Sequence, residues 1–249
     1  MSEQNTELDA LAVFSHPDDA ELTVAGTLLK LKSLGHRTGV LDMTRGEMGT
    51  RGTPELRAAE ALEAARLMRL DVRLNLEQPD GHVWPTEEAR QAMVRVIRTY
   101  KPKVIFTSHW DDPHPDHANT CRIVREAARL ASMRRYDEEA GQAAVRIPVV
   151  AHAVYSRLVV PSFIVDVSDF REEKMQAIRA HASQFYRAGA EDEPETRISD
   201  KNFLNQIEWR MRYYGSLIGA AAGEAFYVRE ALNVDDPVAL LTRPMNIYS

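Results

Sequence analysis

Four short apolar runs, at 11–14, 38–43, 72–76 and 104–107, are separated by longer stretches with helical spacing, and this alternation constrains the fold most. β-rich runs alternating with amphipathic ones signal βαβ units, which lay strands side by side in parallel and put helices on the sheet faces. Helices are expected at 21–34, 54–70, 86–100 and 117–132. Several of their ends are marked chemically: Gly35 stands in the stop position of the first, Thr53 and Pro54 open the second as N-cap and first residue, and Pro102 closes the third. Further strands are expected at 149–158 and 163–167, followed by helices at 169–182 and 200–222. The fold class is therefore α/β: a mostly parallel sheet flanked by helices, a Rossmann-like three-layer sandwich.

With 249 residues, 44% of them hydrophobic, the chain can bury a substantial core. It contains no internal repeat, low-complexity tract or linker, so residues 1–249 are read as one domain. The formal net charge of −6 and the lack of Lys/Arg blocks leave no basic field for a phosphate backbone, which argues against nucleic acid as a partner. No apolar stretch approaches the roughly 18 residues of a membrane span. The polar, acidic start of the chain does not read as a secretory signal. The single cysteine, Cys121, excludes an internal disulfide framework and fits a cytoplasmic location, and any metal site must use nitrogen and oxygen ligands.

Two of the expected strands end in clusters of titratable residues. The run at 11–14 leads into Ser15-His16-Pro17-Asp18-Asp19-Ala20-Glu21, and the run at 104–107 into His109-Trp110-Asp111-Asp112-Pro113-His114-Pro115-Asp116-His117. Pro17 disfavours helical geometry at His16, which places the first cluster on an irregular turn. A catalytic zinc site takes three His, Asp or Glu ligands and keeps one position open. His16 and Asp19 can face a common point from one turn, with His117 as third ligand from the other. The same set with open positions also suits Fe(II). Asp18 is then left beside the ligands as a general base. His114 is placed to stabilise an oxyanion, with Asp116 holding its imidazole. Glu21 is expected in the first turn of the following helix, where the dipole favours a negative charge. His36, His82, His152 and His181 are isolated and join neither cluster.

These residues resemble the PIG-L/LmbE-like zinc-dependent N-acetylglucosaminyl deacetylases, whose pattern is HPDD near the N-terminus and HPDH in mid-chain. Thr44-Arg45-Gly46-Glu47-Met48-Gly49-Thr50-Arg51-Gly52-Thr53, Leu56-Arg57-Ala58-Ala59-Glu60 and Pro79-Asp80-Gly81 look like the bacillithiol-biosynthesis branch, which deacetylates N-acetylglucosaminyl malate. So do Ala182-Ser183-Gln184-Phe185, Gly223-Glu224-Ala225-Phe226 and Asp235-Asp236-Pro237. The resemblance implies metal ligands His16, Asp19 and His117, with Asp18 as the base that later protonates the leaving amine. It implies that His114 assists the oxyanion and Asp116 orients His114. It places Arg57 against the aglycone and Asp80 against sugar hydroxyls, with Arg51 and Glu47 on the Gly-rich loop as further substrate contacts. It also implies a homo-oligomer, a hexamer built as a trimer of dimers.

The Gly-rich loop lacks the Lys-Ser/Thr ending of a phosphate cradle. Trp84 and Trp209 are expected to pack rather than form sugar platforms. The stretch 186–199, rich in Gly, Glu, Asp and Pro, is long enough to be a lid or substrate-binding loop. It also holds a departure: this branch carries a Thr-Pro-Leu-Thr-like sequence before the last long helix, and this chain has Glu195-Thr196-Arg197-Ile198-Ser199. Three readings stay open. The chain deacetylates GlcNAc-malate, or another N-acyl sugar such as a chitooligosaccharide or antibiotic intermediate, or it is a non-catalytic metal-binding protein with a closed four-ligand site.

Overall fold

A computed structural model describes residues 6–242 apart from Leu158, Ala188, Ala190 and Glu191. Strands β1 (Ala10–Phe14), β2 (Thr38–Asp42), β3 (Val72–Asn75), β4 (Val104–Thr107) and β5 (Val149–Ala153) lie parallel in the order β3-β2-β1-β4-β5. The sheet is completed by β6 (Phe163–Asp166) and β7 (Gly223–Tyr227), with β7 antiparallel to both β5 and β6. The helices are α1 (Asp19–Ser33), α2 (Pro54–Leu67), α3 (Glu87–Tyr100), α4 (Pro115–Leu130), α5 (Arg171–Arg179), α6 (Phe203–Ser216) and α7 (Pro237–Leu241).

The period-two alternation along β1 explains the three layers. Leu11 and Val13 point to one face, where Met93 and Ile97 of α3 and Ile123 and Val124 of α4 cover them. Ala10, Ala12 and Phe14 point to the other, against Val24, Ala25, Leu28 and Leu29 of α1. All five β1 residues are buried, as a central parallel strand requires. Each large side chain buried in this way stabilises the fold by about 1.5–3 kcal/mol. A smaller apolar cluster joins Met175 and Ile178 of α5 to Phe203, Ile207 and Met211 of α6.

The expected helix at 200–222 ends earlier, at Ser216, and the chain doubles back into β7. Gly215 permits this, because a Cβ there would lie 2.7 Å from backbone atoms of Ala220 and Ala222. The expected strand at 149–158 stops at Ala153, and its far end includes Leu158, outside the described residues. Among the described residues no helix is long and apolar enough to cross a membrane.

From β1 the chain runs outward to β2 and β3, then returns to place β4 on the other side of β1. The carboxyl ends of β1 and β4 therefore diverge at a topological switch point, where open α/β sheets bind ligands.

Candidate metal centre and active site

β1 and β4 are paired with Val13 opposite Thr107, so the two titratable clusters leave the sheet side by side. The Ser15 and Thr120 hydroxyls meet at 2.8 Å and fasten the first turn to α4. Three potential donor atoms then converge, those of His16 and His117 coming from residues 101 positions apart. His16 Nδ1 is 3.3 Å from Asp19 Oδ2, His117 Nε2 is 3.2 Å from the same oxygen, and the two ring nitrogens are 3.3 Å apart. A tetrahedral ion with bonds of about 2.0–2.1 Å needs donors roughly 3.3–3.4 Å apart, so this triangle has the dimensions of one tetrahedral face. Two imidazoles and one carboxylate are also the donor chemistry such an ion takes.

The outer nitrogen of each imidazole meets carboxylate. His16 Nε2 lies 3.0 Å from Asp80 Oδ1 and 3.5 Å from Asp116 Oδ2, and His117 Nδ1 lies 3.1 Å from Asp112 Oδ1. Carboxylates behind ligating histidines fix their orientation and raise their basicity. Burial disfavours a charged His117, yet Asp19 and Asp112 hold it up at about 10. Asp19 also titrates against its burial: His117 and His16 keep it well below the usual carboxylate range. A second grouping, His16 with His114 and Asp116, is a poorer cradle, since the His16 nitrogen facing Asp116 is the one Asp80 already engages.

Asp18 stands beside this triangle and outside it. Its backbone has φ 123° and ψ −27°, a conformation that side chains disfavour. It is buried, and burial pushes its carboxyl up to about 6 while Arg57 pulls the other way. Arg57 is buried as well. Its guanidinium donates to Pro17 O at 2.7 Å and Gly46 O at 3.0 Å, and lies 3.4 Å from Asp18 Oδ2. Gly46 has φ 70°, and any side chain there would overlap the guanidinium.

His114 caps the N-terminus of α4, and its Nδ1 accepts the Asp116 backbone N–H at 3.2 Å. Nε2 therefore carries the proton of the neutral ring and is the donor available to the cavity. Burial, with the neighbouring His117 and His16 charges, keeps His114 below its ordinary value. The sequence places the Asp116 carboxylate on His114, whereas here it accepts the Gly81 and Val83 amides at 2.8 and 3.2 Å and faces His16. The reason is local: the first turn of α4 aims Asp116 down at the loop after β3, leaving its amide for His114.

A family model described as PIG-L, GlcNAc-PI de-N-acetylase, matches residues 11–128, which contain both turns. The diacetylchitobiose deacetylase of Thermococcus kodakarensis is 32% identical over 197 residues, covering 70% of this chain and 69% of that protein. The chain belongs to the PIG-L/LmbE-like deacetylase family. A second member, the probable N-acetyl-α-D-glucosaminyl L-malate deacetylase 2 of Bacillus anthracis, is 27% identical over 72% of this chain and 82% of its own. The solved structure of the conserved protein TT1542 from Thermus thermophilus superposes with a TM-score of 0.82 at 34% identity, covering 92% of this chain and 98% of that one.

In this PIG-L family chain the triangle opens into a cavity of about 360 Å³ that His16, Asp18, Asp19, His114 and His117 all line. The expected substrate contacts divide. Asp80 lines the cavity, but its carboxylate is engaged by His16 and by the Met48 amide at 2.8 Å. Arg57 also lines it, held against the Asp18 turn rather than reaching for a substituent. Glu47 is exposed and accepts the Asp80 amide at 2.9 Å, bracing Asp80 from outside the cavity. Arg51 is buried away from the triangle and holds Glu193 at 2.7 Å.

Glu21 lies in the first turn of α1, as expected, and packing adds what the sequence does not show. Glu21 is fully buried, paired with Arg73 Nη1 at 2.5 Å and 3.5 Å from the buried His181. Arg73 also holds Asp42 at 2.8 Å. Trp84 and Trp209 stand exposed instead of packing. Asp112 emerges as the carboxylate behind His117, although it is only one of several in its cluster, and the path of the loop alone selects it. Tyr155, just past β5, lines the cavity with Arg210 4.3 Å over its ring, and no motif announces it.

Proposed function

We propose that this chain is a metal-dependent hydrolase that removes the acetyl group from an N-acetylglucosamine glycoside, GlcNAc-malate being the first candidate. The observation that carries the reading is a tetrahedral-sized donor triangle with a buried, uncoordinated carboxylate, Asp18, beside it in one cavity. Three donors with an open side favour a catalytic centre over a closed four-ligand one. His16, Asp19 and His117 would hold the ion, zinc by donor type, with Fe(II) sharing the same preference. When bound, such an ion acidifies water and polarises a carbonyl oxygen.

The chain's own residues supply the rest. Asp18 takes a proton from the attacking water as its oxygen bonds to the amide carbon. It returns that proton to nitrogen as the C–N bond breaks, releasing acetate and a free amine. His114 donates its Nε2–H to the oxyanion that forms between these steps. Arg57 fixes the Asp18 turn, and Asp80, Asp112 and Asp116 orient the imidazoles.

A chitooligosaccharide is the second reading, favoured by the higher identity to the Thermococcus diacetylchitobiose deacetylase than to the Bacillus malate deacetylase. Acetate release from GlcNAc-malate, diacetylchitobiose and free GlcNAc decides between them. Preference for GlcNAc-malate supports the first reading, and equal low rates on GlcNAc-malate and free GlcNAc refute it. By family resemblance and cysteine usage, the protein is further proposed to act as one domain in a cytoplasmic homo-oligomer.

A further inference from the structure

Resting on the deacetylase reading above, we propose that Arg197 is the residue that selects glycosides whose aglycone carries an anionic group, a carboxylate or a phosphate. The resemblance gives that task to Arg57, but its guanidinium is committed to Pro17 O, Gly46 O and the Asp18 carboxylate. Besides Arg57 and the histidines, Arg197 is the only cationic side chain lining the cavity among the described residues. It is exposed at the mouth and makes no ion pair or hydrogen bond among the described residues.

The backbone that presents Arg197 is fixed. Thr196 N donates to Ser199 Oγ at 2.8 Å and Ser199 N to Thr196 Oγ1 at 3.2 Å, closing a turn around residue 197. Ile198 packs against the apolar cluster of α5 and α6 and also lines the cavity. Upstream, Glu193 is held by Arg51. Arg197 is thus a cation on an anchored turn.

The charge around it gives the cation a purpose. Asp18, Asp19, Asp80 and Asp112 line the same cavity, and each already engages Arg57 or one of the imidazoles His16 and His117, so these cations are taken and Arg197 is the one left open to an incoming anion. A neutral glycoside offers Arg197 only uncharged oxygen acceptors, which bind a guanidinium more weakly than an anion does. A carboxylate receives two parallel N–H donors from the planar guanidinium, the geometry that arginine provides and lysine lacks. This residue lies in the segment where the chain departs from the Thr-Pro-Leu-Thr-like sequence of the malate branch.

The test compares kcat/KM of the metal-loaded enzyme on GlcNAc-malate, GlcNAc-1-phosphate and the neutral methyl glycoside of GlcNAc. Arg197→Ala is expected to lower the anionic-to-neutral ratio about ten- to a hundredfold, mainly through KM, as the loss of a charged hydrogen bond does. Arg197→Lys should retain part of the ratio, and Arg197→Glu should reverse the preference. The two anions separate carboxylate from phosphate as the natural group. A ratio that moves less than twofold in Arg197→Ala, or a parent enzyme that prefers the neutral glycoside, overturns the inference and leaves the deacetylase reading standing. Absence of acetate from all three and from diacetylchitobiose overturns that reading itself.

Discussion

Removing Arg57 should move the pH dependence of the reaction rather than substrate affinity alone. Its Nη2 lies 3.4 Å from Asp18 Oδ2, and both groups are buried. At an effective dielectric of about 20, a unit charge pair at that distance interacts by about 5 kcal/mol, an upper bound of roughly 3.6 pKa units. Relaxation and water entry reduce this to about 1–3 units, the usual effect of one opposite charge. Arg57 holds the Asp18 carboxyl down, so its loss raises a group already pushed up to about 6 by burial. A base works only when ionised, so the acid limb of kcat/KM in Arg57→Leu should shift upward by about 1–3 units. Activity falls at neutral pH and returns as the pH is raised. Any ion's own field acts on parent and variant alike and cancels in the comparison. Arg57→Leu also strips donors from Pro17 O and Gly46 O, so a melting curve must accompany the rates. Arg57→Lys, which keeps the charge, should leave the limb near its parental position. An unmoved acid limb in Arg57→Leu with a raised KM would refute this reasoning and restore the aglycone contact implied by sequence.

Asp18→Asn is expected to keep its metal while losing about a hundred- to ten-thousandfold in kcat, the usual contribution of a positioned base; full turnover would remove Asp18 from the mechanism. Asp112→Asn should weaken metal binding about ten- to a hundredfold in chelator competition at fixed pH, and a Kd within twofold of the parent would deny Asp112 its part behind His117. Arg73→Met leaves Glu21 and Asp42 buried without their cation and should cost about 3–5 kcal/mol in urea unfolding; a loss below about 1 kcal/mol would show that the pair is already compensated. Burial opposes ionisation of Glu21, but Arg73 lowers it from 4.5 to about 2. Its stabilising contribution is therefore full above about 4.5 and lost as the pH falls toward 2, and that acid-labile component should shrink in Arg73→Met.

The helical and strand periods in the first half were legible because each reports a burial pattern that the sheet imposes. β7 was not: its five residues, Gly223–Tyr227, carry no alternation, and only the close approach of Gly215 to the backbone of Ala220 and Ala222 explains the reversal before it. The clustering of His16, Asp19 and His117 could be read from residue type and position, since strand ends that share a switch point bring their turns together. The supporting carboxylates could not. Whether Asp80, Asp112 or Asp116 faces a given imidazole depends on loop paths that leave no period in the sequence. The first-turn position of Glu21 was legible, but its burial was not, nor was that of Arg57: a charged residue in a helix's first turn is ordinarily solvated, and tertiary packing buries these two against Arg73 and Asp18.

The backbone at Asp18 has a consequence for how this chain tolerates change. A residue with a Cβ at φ 123° costs the fold about 1–3 kcal/mol, which a glycine at that position would avoid. Replacement by glycine would also delete the carboxylate proposed to move the proton. Stability and turnover therefore pull on residue 18 in opposite directions. Variants selected only for heat resistance would be drawn to relax this turn, and any that did so would surrender the reaction first.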